Sequence, residues 1–140
     1  MDWTNPARLY ALAFGAVLVL AGLVGFLYNG SFAVGDDVPR DAVLGILDVN
    51  AWHNIVHIAT GALGLVAASS AVASRIYAFG LGAVYILVAL WGLILGDGGV
   101  ILGLVPINTE DNVLHVVIGV VGIAAGVAAG SSVRTSAERA

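Results

Sequence analysis

Three histidines and one aspartate carry most of the chemistry this chain could perform. They fall in two short stretches, "NAWHNIVH" from Asn50 and "NTEDNVLH" from Asn108. Residues four apart share a helix face, so His53 aligns with His57 and Asp111 with His115. If both faces look toward a common axis, three imidazoles and one carboxylate converge. Such a donor set suits Zn²⁺, and Cu²⁺ or Fe²⁺ with adjustment. Asn54 and Asn112 would then support the ligands by hydrogen bonding. A histidine pair without the glutamate of a metalloprotease motif points to binding and not to hydrolysis.

The same residues support two other readings. In the leading one the layer is structural. Asn50 and Asn108 act as N-caps, and Asp111, three residues past its cap, complements exposed N–H groups and the positive helix end. That positive end disfavours a bound cation. His57 and His115 then serve as polar glue between helices. In the other reading His57 and His115 are the axial pair of a b-type haem, with Gly61 and Gly119 leaving room for the porphyrin edge. The bland account of those glycines is close helix approach.

The elements that must position these residues are membrane spans. The chain has 140 residues, 60% of them hydrophobic and 10% charged, against about 25% charged in soluble domains. Mean hydropathy is +1.02. Lipid is the expected solvent. There is no cysteine and no lysine, and the net charge is −4, which excludes thiolate sites and a nucleic-acid-binding basic face. Spans are expected over about residues 7–28, 51–68, 74–95 and 112–130, each near the ~20 residues that cross ~30 Å of hydrocarbon. The first lacks a basic leader and reads as a retained span. Asn5 and Pro6 mark its start.

Arg8, Arg75, Arg134 and Arg139 all fall on one side of a four-span chain. Asp36, Asp37, Asp41, Asp48, Asp97 and Glu110 fall on the other, with Arg40 as the lone base. The positive-inside rule then predicts a plasma-membrane protein with both termini cytoplasmic and the histidines near the outer face. Trp3, Trp52 and Trp91 fall near span ends, where indoles prefer the interface.

An internal repeat underlies the pattern. "GILDVNAWHNIVHIATGALGL" from Gly45 aligns with "GLVPINTEDNVLHVVIGVVGI" from Gly103, and "ARLYALAFGA" from Ala7 with "SRIYAFGLGA" from Ser74. The expected fold is an all-α, integral membrane four-helix bundle built from a tandem duplication of a two-helix hairpin. Repeat one covers about residues 6–70 and repeat two about 73–130 within a single domain 1–140. The pseudo-twofold axis lies along the membrane normal. A polar tail, residues 131–140, is expected to be mobile.

The pattern H-N-x-x-H in one span and D-N-x-x-H in a later one, each after an Asn, resembles a small four-span membrane family of bacteria and archaea, known as domain of unknown function 4383. The matching residues are His53, Asn54, His57, Asp111, Asn112 and His115, behind Asn50 and Asn108. "SRIYA" and "PINTEDN" are similar too. The resemblance covers nearly the whole chain, least distinctively over 30–47. It implies a four-helix membrane domain and no activity.

The remaining features have simpler readings. Gly122, Gly126 and Gly130 form a close-packing series, within the bundle or toward a second copy or a membrane partner. Arg8 and Arg75 anchor helices at the end away from the histidines. "GDGG" from Gly96 is a turn, since no P-loop lysine follows. The apolar pieces "AVLGIL" and "VILGLV" are too short to span and are expected to fold back as paired lids over the histidines. No nucleophile or nucleotide motif is present, so catalysis has little support.

Overall fold

The helices begin at residues whose side chains satisfy backbone N–H groups. In the computed structural model, which describes residues 4–137, α1 spans Pro6–Tyr28. Asn5 Oδ1 accepts from the N–H groups of Ala7 (3.0 Å) and Arg8 (3.2 Å), while Pro6 has no N–H to satisfy. α2 is Ala51–Ala67, α3 Ala71–Leu95 and α4 Thr109–Ala137. Asn50 Oδ1 accepts from His53 N and Asn108 Oδ1 from Asp111 N, both at 2.9 Å. α3 and α4 each start three residues before the span expected from hydropathy, because their caps, Ser70 and Asn108, precede the apolar run. α4 also continues as helix past Gly130 into the expected tail, since helix formation does not need apolar residues. Trp3, Arg139 and the last tail residues lie outside the described residues.

The apolar lid pieces are β-hairpins. β1 (Asp41–Val43) pairs antiparallel with β2 (Leu47–Val49), and β3 (Val100–Ile101) with β4 (Val105–Pro106). Each turns on a Leu-Gly pair with positive φ at both residues: 55° and 72° at Leu44 and Gly45, 54° and 68° at Leu102 and Gly103. Two consecutive positive φ values are the mark of a type I′ hairpin turn, where Asn-Gly is the usual pair.

Within each half, glycines let two backbones touch. A Cβ on Gly15 would lie 2.9 Å from Gly61 O, and one on Gly82 would lie 2.9 Å from Gly119 O. α1 therefore packs along α2, and α3 along α4. Tyrosines join the halves. Tyr10 Oη donates to Ile118 O (3.0 Å), and Tyr77 Oη to Thr60 O (3.1 Å). Gly122 and Gly64 make room for these phenols, since a Cβ on either would sit 2.7 or 2.6 Å from the hydroxyl. Gly126 packs on the Phe79 ring and Gly130 on the Arg75 guanidinium, so the glycine series of α4 faces its own bundle.

The bundle is apolar outside and small or polar inside. Leu27, Val66 and Ile94 are exposed, while Ala7, Ala11, Ala78, Ala89, Asn50 and Asn54 are buried. A water-soluble protein has the opposite arrangement. α1, α3 and Thr109–Gly130 of α4 are long and apolar enough to cross a membrane. α2 is the exception among the four expected spans. Its 17 residues reach about 25 Å at ~1.5 Å per residue, short of ~30 Å, and they include His53, Asn54, His57 and Thr60.

Candidate metal centre

The N-terminal turns of α2 and α4 bring the three histidines together. One ligand atom from each of His53, His57 and His115 lies within 4.8 Å of the others. The His53 ring is 4.3 Å from that of His57 and 6.3 Å from that of His115, centroid to centroid. His53 and His115 are buried. Nδ1 of His57 and Nδ1 of His115 are buried and have no hydrogen-bond partner. A buried polar atom without a partner costs about 1–3 kcal/mol, so such atoms call for an explanation.

His53 is held differently. Its Nδ1 lies 2.9 Å from the carbonyl oxygen of Asp48 on β2. A ring nitrogen facing a carbonyl must donate, which leaves the lone pair on Nε2. Metal-ligating histidines are commonly oriented by this kind of bond.

Asp111, expected as a fourth ligand, does not join the converging group. Its Oδ2 accepts from Asn108 N (3.3 Å) and Asp48 N (3.1 Å). Those bonds close the N-terminus of α4 and tie β2 to it. Asn54 also serves packing. Its Nδ2 donates to Asn29 O at 2.9 Å, and its carboxamide fills the space beside Gly25, as that of Asn112 does beside Gly92.

Asn50 and Asn108 do more than cap. Asn50 Nδ2 donates to Leu104 O, and Asn108 Nδ2 to Ile46 O, both at 2.6 Å. Each cap thus binds the hairpin of the opposite half. Gly61 and Gly119, expected to leave a slot for a porphyrin, are filled by the backbones of α1 and α3 or by Ile86.

Sequence reasoning missed two neighbours of the site. Tyr85 packs edge-on against His115, with centroids 4.9 Å apart at 88°, and its hydroxyl is buried. In the repeat alignment Tyr85 falls opposite Leu18, and that mismatch was the available signal. The Asp48 carbonyl had no signal, because any residue has one.

Among the described residues, Asp48 is the buried carboxylate outside the helices. Burial raises its pKa above the ordinary value, Asp97 and Glu110 add to the rise, and Arg40 and a hydrogen bond from Asn108 oppose it. At the other end of the bundle, Arg8 donates to Ser69 O (3.2 Å), just past α2, and Arg75 Nε to Gly126 O (2.9 Å), within α4. Chemically, the histidine group can coordinate a d-block ion through nitrogen.

A family model described as a domain of unknown function (DUF4383) matches residues 8–128. No curated protein and no solved structure matches the chain.

Proposed function

The chain belongs to this family, and from that premise we propose that it is a membrane-embedded metal-binding protein whose His53, His57 and His115 hold one transition-metal ion. The observation that carries the reading is the convergence of three ligand atoms where two buried ring nitrogens have no partner. A bound ion would take one nitrogen of each ring as its ligand. Three histidines leave a further coordination position for a small molecule, as in catalytic zinc sites. No nucleophile or acid–base pair accompanies them, so the proposed role is binding and not catalysis.

The membrane arrangement is part of the proposal. α2 crosses with the other helices, its short polar start roofed by the hairpins, so the chain is multi-pass. Arg8 and Arg75 mark the cytoplasmic end, both termini are cytoplasmic, and the metal lies near the outer face of the plasma membrane.

The structural reading has its own support in the reciprocal Asn50 and Asn108 bonds. Asn50 and Asn108 have partners, whereas His57 and His115 each have an unpartnered nitrogen. Asn54 Oδ1 and Asn112 Oδ1 are unpartnered too, but these carboxamides fill space beside glycines and are read as packing, and the converging imidazoles as ligands. Haem is disfavoured because the glycine slots are filled.

The test is elemental analysis and an absorption spectrum of detergent-purified protein beside the His57→Ala/His115→Ala variant. Near-stoichiometric metal that the variant loses is the expected result. A metal-free protein that also refuses added Zn²⁺, Cu²⁺ and Cu(I) would end the proposal, and a Soret band would replace it with haem.

A further inference from the structure

The identity of the ion follows from charge and coordination number, once the three histidines are read as ligands. We infer that the site selects monovalent copper, Cu(I), over divalent zinc or copper.

The donors are three imidazoles, which are neutral when they ligate. No carboxylate or thiolate belongs to the group. A bound divalent ion would therefore bring two uncompensated positive charges into a site whose His53 and His115 are buried inside an apolar bundle. The Born cost of burying an ion grows with the square of its charge, so a divalent ion pays roughly four times the penalty of a monovalent one. Two helix N-termini add to this difference. His53 is the third residue of α2, and His115 lies in the second turn of α4. Both helices present the positive end of their dipoles to the site, and the repulsion scales with the charge of the ion.

Asp111 is the natural counter-charge on α4. Its Oδ2 already accepts two backbone N–H bonds at the start of that helix. Turning it toward an ion would strip the helix N-terminus of those bonds and release β2.

Coordination number points the same way. Zn²⁺ held by three histidines completes its set of four with water or another small molecule, as in catalytic zinc sites. Cu(I) is content with three, and the structure brings together three. Imidazole suits copper and zinc alike, so charge and not ligand type separates the ions. The ring of Tyr85, edge-on to His115, walls this side of the group with hydrocarbon.

The experiment is a set of competition titrations on the full-length, detergent-solubilised chain after chelator treatment. Cu(I) is added under anaerobic conditions against a chromophoric Cu(I) chelator. Zn²⁺ and Cu²⁺ are titrated separately against their own indicators. The expected result is one Cu(I) per chain, held about tenfold or more tighter than either divalent ion. X-ray absorption of the loaded protein should show three nitrogen neighbours. His57→Gln and His115→Gln, chosen to keep side-chain volume and checked by thermal melting, should each weaken Cu(I) binding beyond the ~10–100-fold typical of changes to supporting residues. Tyr85→Phe should leave Cu(I) affinity unchanged.

Two outcomes overturn the choice of ion but leave the metal reading in place. One is Zn²⁺ or Cu²⁺ binding through the same histidines as tightly as Cu(I). The other is loss of binding in Tyr85→Phe, which would make the phenolate a ligand and the site one for a higher charge. Failure of all three ions to bind would overturn both the inference and the reading it rests on.

Discussion

The two halves of the bundle share a packing plan and differ in chemistry. Gly15 meets Gly61 as Gly82 meets Gly119, Tyr10 reaches across as Tyr77 does, and Asn50 and Asn108 exchange hairpins. The differences cluster at the histidines. Position 53 in one half is His, and its counterpart 111 is Asp. Leu18 answers to Tyr85, and Asp48 to Pro106. The last pair explains the first. Asp48 N donates to Asp111, which holds that carboxylate at its helix end. Pro106 has no N–H and cannot do the same for residue 53. His53 turns instead to the Asp48 carbonyl. A twofold scaffold thus carries a single, one-sided site. Backbone contacts maintain the symmetry, while a few side chains break it.

That comparison can be broken most forcibly at the crossings. Gly15→Leu should destabilise the bundle by about 3 kcal/mol or more, because its side chain would meet the backbone of α2. Gly82→Leu should match it through α4. Circular dichroism melts in detergent would check both, and unequal losses would show that the halves do not share one packing plan. The Asn latches come next. Asn50→Ala and Asn108→Ala should each cost about 1–3 kcal/mol, as each removes a cap and a partner for a carbonyl of the opposite hairpin. A double-mutant cycle would show whether the latches act together. A cost confined to one variant would break the symmetry at the hairpins.

Relief of strain sharpens the comparison with a smaller effect. Leu44 and Leu102 are exposed and hold φ near +55°, which costs a bulky residue about 1–2 kcal/mol. Leu44→Gly and Leu102→Gly should each stabilise by up to ~1 kcal/mol after glycine's own entropy cost. Chemical denaturation would measure the gain, and a loss would mean that the leucines serve a contact outside the chain.

The smallest effect is expected at Asp48, which has no acidic counterpart. Its pKa is raised on folding, so the folded chain binds the proton more tightly than the unfolded one. The resulting stability is complete below the ordinary aspartate pKa and is lost as pH rises through the folded value. Asp48→Asn should flatten this decline between acid and neutral pH. A melting profile with the same pH slope in both proteins would reject the assignment to Asp48.

Side-chain type made much of this legible. The apolar runs located four helices, and the paired Arg, Tyr, Asn and Gly residues revealed two hairpins. The i, i+4 spacing placed His53 beside His57. What stayed hidden was mostly written in backbone. The Asp48 carbonyl that orients His53 has no residue signature. Leu-Gly is a poor advertisement for a turn that needs two positive φ values, so the hairpins read only as short apolar pieces. Asp111 could be matched to a ligand or a cap by spacing alone, and only the N–H groups of Asn108 and Asp48 decide its place. The glycines at 61 and 119 signalled empty space equally well for a cofactor or a neighbouring helix.

The tyrosine bonds between halves have a consequence for how the protein is made. Tyr10 donates to a carbonyl 108 residues later in the chain. A ribosome makes α1 and α2 before α4 exists, so the nascent hairpin carries a phenol whose acceptor is still unsynthesised. The first half therefore completes this contact only after the second half has been made.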